Sequence, residues 1–308
     1  MSKRSNLIFN IEKKDFIKLT TNNSIGKYLK ILIKRSQVKE NSDLFFNGDV
    51  FEQITEDEDF FINLSNPNSL FLLNMDEEKS KEIENNFGYI CISKESIYKR
   101  IPFFFNYNQV DIQRDSTIKS WEFISKFKHP FNSIIINDPY ILKEPDKIKE
   151  NLISLLENIL PPKLNKNNIF LTIITDCSDT SYCYNRVIKE LKDSNIDLSN
   201  FTLINSKKEH NRNIITNYLW ISSDYGFTLF NKNKVAKSTP VRFVPITFIN
   251  DAYSDYNSEP INRIENETSI YDSYLNLLKK YKGIIEGASD NGVLVQFKGS
   301  KKNRLIKF

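Results

Sequence analysis

Short apolar runs separated by polar, asparagine- and lysine-rich breaks dominate the chain, and their spacing predicts alternating strands and helices. Leu70-Phe71-Leu72-Leu73 reads as a buried strand, Asp76 to Asn86 as a polar helix capped by Asp76 or Asn74, and Tyr89 to Ser93 as a second strand. Before this unit, Ile25, Tyr28, Leu29, Leu32 and Ile33 recur at helical spacing after Asn23 and Ser24, either of which suits an N-cap. Residues 1–125 are therefore expected to form an N-terminal α/β or α+β domain of unassigned type. From Asn132 onward the pattern gives a strand (Ser133 to Ile136), a helix (Asp146 to Leu160) stopped by Pro161-Pro162, and a strand (Ile169 to Thr175). A helix (Tyr184 to Asp193) and strands at Phe201 to Ser206 and Asn213 to Tyr218 follow. Gly226 to Phe230 and Val241 to Ile249 supply further strand, Ile270 to Tyr281 a helix that Gly283 can end, and Val293 to Phe297 a last strand. Strands alternating with helices favour an α/β core with helices packed on the sheet, here over residues 131–308. Trp121 to Phe127 reads as a short helix in the connection between the two domains.

Composition narrows the class. At 308 residues the chain has room for two modest domains, and 23 Phe with 14 Tyr supply ample apolar material for packed cores. The net charge of +4, from 43 Lys+Arg against 39 Asp+Glu, is weaker than a dedicated nucleic-acid binder usually carries. The densest basic cluster is Lys298, Lys301, Lys302 and Arg304, which reads either as a contact for an anionic surface or as a solvated strand edge. Cys91, Cys177 and Cys183 are too few and too unevenly placed for a disulfide framework, which fits a reducing cytoplasm. The five residues between Cys177 and Cys183 are not a common zinc spacing, so neither a metal nor a cofactor is expected. No run approaches a membrane span, so contact with a membrane is expected to be peripheral at most.

The chain has only two histidines, and one of them opens His210-Asn211-Arg212-Asn213-Ile214-Ile215-Thr216-Asn217. The spacing H-x-R-x4-N copies the outline of the phospholipase D motif H-x-K-x4-D, with arginine for lysine and asparagine for aspartate. In that chemistry an imidazole attacks phosphorus, a cation neutralises the phosphoryl oxygens and a carboxylate sets the state of the nucleophile. Arg212 can still fork onto phosphate oxygens, but Asn217 supplies no charge. On an unbroken strand His210 and Arg212 would share one face, and Tyr218 and Trp220 would continue it. The competing readings are a strand-end His210 held by Glu209 or Asp138, an Arg212 salt bridge to Asp138, and a core role for Trp220. Asp138-Pro139-Tyr140 ends its strand where loops of parallel sheets form clefts, so Asp138 and Tyr140 join the candidate site. Equally, Pro139 ends the strand, Asp138 begins a turn and Tyr140 packs beneath it.

The order of these features resembles the C-terminal phospholipase-D-like domain of MIT-domain-containing proteins over residues 131–250. The shared outline is an apolar strand ending in Asp138-Pro139-Tyr140-Ile141, a second apolar strand from Ile169 to Thr175, His210 with Arg212, Trp220-Ile221, and Gly226 to Phe230. Asn211 and Thr228 stand where the family places acidic residues, and Asp224-Tyr225 where it has a more basic turn. The resemblance implies an α/β, phospholipase-D-like sheet flanked by helices. It also implies a module that engages acidic lipid surfaces and partner proteins without a full catalytic pair, of a kind at home in prokaryotic defence systems. The ligand-binding set is then His210, Arg212, Asn217, Asp138 and Tyr140, facing a phosphate-bearing ligand such as nucleic acid or an acidic head group. The alternative is a phosphodiesterase, most simply a nuclease. It would use His210 as catalytic residue and need a homodimer, because His129, followed by Pro130 and Phe131, opens no second motif.

Overall fold

In a computed structural model the chain divides into two compact units, one built from residues 1–107 and 245–275, the other from 108–244 and 276–308. The structure describes residues 7–10, 13–21, 26, 70–73, 76–93, 95–100, 107–161, 169–196, 198–207, 210–232, 234–245, 270–287, 294–299 and 303–306.

The first unit holds a three-stranded parallel sheet in the order β1 (Leu7–Asn10), β2 (Leu70–Leu73), β3 (Ile90–Ser93). Helix α1 (Lys13–Thr21) follows β1, and α2 (Glu77–Phe87) links β2 to β3. Asp76 caps α2 by accepting the Lys79 amide at 2.7 Å, and Gly88 ends it in the left-handed region at φ 70°. Ile83 and Phe87 face the buried strands. Glu84, also buried, accepts the Cys91 amide at 2.9 Å and pairs with Arg100 from the short helix α3 (Ile97–Arg100). The helix expected over residues 25–33 lies, save for Gly26, outside the described residues.

The second unit is built on an eight-stranded mixed sheet flanked by helices. Its strands are β4 (Asn108–Ile112), β5 (Ser133–Asn137), β6 (Phe170–Thr175), β7 (Asn200–Asn205), β8 (Asn213–Thr216), β9 (Leu219–Ser223), β12 (Thr239–Pro245) and β13 (Leu294–Lys298). Their spatial order is β13-β7-β6-β5-β8-β9-β12-β4. Strands β5, β6 and β7 run parallel, and β8 returns antiparallel to β5 with Ile134 opposite Thr216 and Asn137 opposite Asn213. The motif strand therefore lies beside the strand leading to Asp138, as its sequence position predicts. The short pair β10 (Phe230–Asn231) and β11 (Lys234–Val235) stands apart from this sheet.

The all-buried sequence Ser-Ile-Ile-Ile-Asn of β5 follows from covering on both faces. Helix α5 (Thr180–Asp193) packs beside β7 and β13, with Val187 and Leu191 buried. Helix α6 (Ile270–Glu286) sends Tyr281 in to accept a hydrogen bond from Asn137 Nδ2 at 3.1 Å. Trp121, in the 3-10 helix Trp121–Phe127, lies against Phe227 and Phe230 at 5.9 and 5.5 Å between ring centres.

Four expectations need correction. The segment 146–160 is not one α-helix: a 3-10 turn (Pro145–Lys147) leads into a wider turn (Lys149–Ile153) before α4 (Ser154–Ile159) begins. The widening, with the Ile153 amide on the Ile148 carbonyl at 3.0 Å, accompanies Asn151, whose side chain exchanges two 3.0 Å bonds with the backbone of Phe230. Gly283 lies within α6 instead of ending it. Residues 226–229 form a loop, with strand only at Phe230–Asn231, because Gly226 takes φ +84° and Asp138 draws in the Phe227 amide. The motif strand stops at Thr216, and residues 217 and 218 turn the chain into β9. The expected strand residues after Pro245 and Val293 itself lie outside the described residues.

Candidate functional site

Strand β5 leads into Asp138, whose side chain is fully buried. Its Oδ1 accepts the Tyr140 amide at 2.8 Å, closing a turn that lifts Tyr140 above the strand end, and its Oδ2 accepts the Phe227 amide at 2.6 Å. Gly226 makes this approach possible, since a Cβ there would lie 2.6 Å from Asp138 Oδ2. Burial pushes the Asp138 carboxyl above its usual range, against the two amides and the charges of Arg212 and Lys237. Asp138 is thus the staple between the Tyr140 and Gly226 loops.

Arg212 precedes β8, half-buried. Its Nη1 donates to the Asp224 carbonyl at 3.0 Å, and no ion pair joins it to Asp138. Its Nε is buried and has no hydrogen-bond partner. The guanidinium carbon lies 5.6 Å from the centre of the Tyr140 ring. Lys143 and Lys237 approach the same ring, with their Nζ atoms 5.3 and 5.8 Å from its centre. The nearby Asp224 carboxylate is occupied by Arg242, which holds it at 2.7 and 3.2 Å and keeps it below the usual carboxylate range. Glu144, next to Lys143, pairs with Lys147 at 2.6 Å. At the strand ends beside Asp138, Asn137 Oδ1 and the Thr175 hydroxyl are also buried without a hydrogen-bond partner.

The structure therefore brings together Asp138, Tyr140 and Arg212 from the expected set. It separates the others by role. His210 is exposed and lies before the strand, so it does not share a strand face with Arg212, and Tyr218 and Trp220 do not continue such a face. Trp220 instead donates from β9 to Asn213 Oδ1 at 2.7 Å. Asn217 lies at the far end of β8, fully buried; its Oδ1 accepts the amides of Asn132 and Ser133, both at 3.0 Å, and its Nδ2 donates to Asn132 Oδ1. These bonds commit Asn217 to holding the start of β5, at the opposite end of the sheet strand from Arg212. Glu209, the other proposed partner of His210, lies outside the described residues.

Sequence reasoning missed Lys143 and Lys237. Both are exposed lysines in a lysine-rich chain, and only the folding of two loops onto Tyr140 distinguishes them. The second histidine is structural: His129 Nδ1 donates to the Phe127 carbonyl at 2.8 Å, and Nε2 shares a hydrogen bond of 2.7 Å with the Thr216 hydroxyl. Of the basic tail, Lys298 donates to the Leu198 carbonyl and Arg304 is buried, while Lys301 and Lys302 lie outside the described residues. Cys177 and Cys183 are buried side by side, and burial first, then the neighbouring thiol, pushes Cys177 up to about 12. No described helix is long and apolar enough to cross a membrane.

The chain matches no model of a known protein family, and no curated protein is significantly similar to it.

Proposed function

We propose that the second unit is a phospholipase-D-like binding module that holds a phosphate-bearing ligand without cleaving it. The observation that carries this reading is the Arg212 side chain. Its buried Nε–H lacks a partner while its neighbours Lys143 and Lys237 converge on the same Tyr140 ring. An unsatisfied buried donor is costly, and a guanidinium offers two parallel N–H groups that match phosphate oxygens. The commitment of Asn217 to backbone amides supports binding over turnover, because no carboxylate stands at that motif position to orient an imidazole. Titration of the full chain with inorganic phosphate and with short oligonucleotides tests the proposal. Arg212→Ala is expected to weaken binding by roughly tenfold to a hundredfold. Phosphodiester hydrolysis that disappears in His210→Ala would replace this reading with the enzymatic one.

A further inference from the structure

We infer that the site prefers a terminal phosphomonoester, a dianion with three free oxygens, over the bridging phosphodiester monoanion. The inference rests on the phosphate-binding reading and adds the class of ligand. Three cations, Arg212, Lys143 and Lys237, each approach the Tyr140 ring to within 5.8 Å. Three carboxylates of the surrounding loops are already engaged. Asp224 is held bidentately by Arg242, Glu144 is paired with Lys147, and Asp138 is turned inward onto the amides of Tyr140 and Phe227. Gathered around one ring, the three cations keep an excess of positive charge that an entering anion would offset. A phosphodiester brings one negative charge and two free oxygens. A phosphomonoester brings about −1.5 to −2 charges at neutral pH and three acceptor oxygens, which allows each of the three cations an oxygen of its own. Lys143 and Lys237 are exposed and reach the ring from separate loops, so they can close on such a group without disturbing the core.

The charge argument also fixes a pH signature. The second ionisation of a phosphomonoester falls at about pH 6, so affinity rises as pH increases through that value.

Calorimetric titration of the full chain with a nucleoside 5′-monophosphate and with the 3′,5′-cyclic monophosphate of the same nucleoside tests the preference, since base and sugar are shared. The expected result is about tenfold tighter binding of the open monophosphate at pH 8, an advantage that shrinks at pH 5 and is lost in Lys143→Ala/Lys237→Ala. Equal binding of the two nucleotides, both weakened by Arg212→Ala, overturns the monoester preference and leaves phosphate binding standing. Absence of binding to either, or binding unchanged in Arg212→Ala, overturns the phosphate-binding reading as well. Competition by vesicles containing phosphatidic acid, but not by phosphatidylglycerol vesicles, would place the monoester on a lipid head group. Failure of both to compete with a bound monophosphate would place it on a soluble ligand, and either result supports the dianion preference.

Discussion

Asp138 Oδ2 accepts the amide of Phe227 at 2.6 Å, joining two loops that are 89 residues apart in the chain. The contact depends on the intervening Gly226, whose φ of +84° is strained for any L side chain and whose missing Cβ leaves room for the carboxylate. Gly226→Ala is therefore expected to destabilise the second unit by about 2–4 kcal/mol, from left-handed strain together with displacement of Asp138. Trp121 and Trp220 are the only tryptophans and both belong to this unit, so urea unfolding followed by their fluorescence reports on it directly. An unchanged midpoint would show that the loop has another way to accommodate the methyl group.

The same carboxylate has a pH signature. Burial raises the Asp138 pKa in the folded state, so the folded form binds its proton more tightly than the unfolded chain does. Its contribution to stability is greatest below the unfolded value and is lost as pH rises through the folded one. Asp138→Asn cannot titrate, and its stability is expected to fall less than that of the wild type as pH rises from about 3.9 upward, although its absolute stability is lower because an amide nitrogen then faces an N–H donor. Parallel pH profiles for the two proteins would contradict this.

Asn217 separates architecture from binding. Its three hydrogen bonds to Asn132 and Ser133 are buried, and Asn217→Ala should cost about 2–4 kcal/mol of stability while leaving phosphate affinity unchanged in the folded protein. Asn217→Asp restores the aspartate of the phospholipase D pattern, yet it sets a carboxylate against Asn132 Oδ1 and should lower stability without producing hydrolysis. A loss of affinity in Asn217→Ala at a temperature where it is fully folded would return this residue to the site.

In the first unit, Glu84 is buried between the Cys91 amide and Arg100, whose Nη1 also donates to the Cys91 carbonyl at 3.0 Å. Arg100→Ala leaves that carboxylate without its cation and should destabilise the unit by about 3 kcal/mol. Amide exchange in β3 is then expected to quicken by roughly a hundredfold. Exchange at the wild-type rate would mean that the pair contributes nothing to holding β3.

These residues also mark what was legible in the sequence. Strands β5, β6 and β7 were readable because runs such as Ile134-Ile135-Ile136 have no polar face and can only lie inside a covered sheet. The Asp76 cap of α2 was readable because a capping side chain acts on its own helix. Edge strand β4, Asn-Gln-Val-Asp-Ile, has little apolar signal and is defined by pairing with β12, more than a hundred residues later. The wide turn at Lys149–Ile153 was hidden for a similar reason, since its apolar spacing passes for α-helix and only the bonds between Asn151 and Phe230 single it out. In the candidate site, the H-x-R-x4-N spacing singled out Arg212, which the structure places beside Tyr140, but spacing alone does not tell which end of a strand a residue occupies. That is why Asn217 was grouped with Arg212, and why Lys143 and Lys237 went unread.

The Arg212 Nε–H itself offers the most direct test of phosphate binding. In the 1H–15N spectrum of the full chain, the arginine Nε–H resonance absent from Arg212→Lys identifies it. Addition of inorganic phosphate at low salt is predicted to shift that resonance in a saturable manner, because a buried donor without a partner gains one. A resonance that stays in place while phosphate is raised to saturation of any other site would contradict the account and leave Arg212 as a tie to the Asp224 carbonyl.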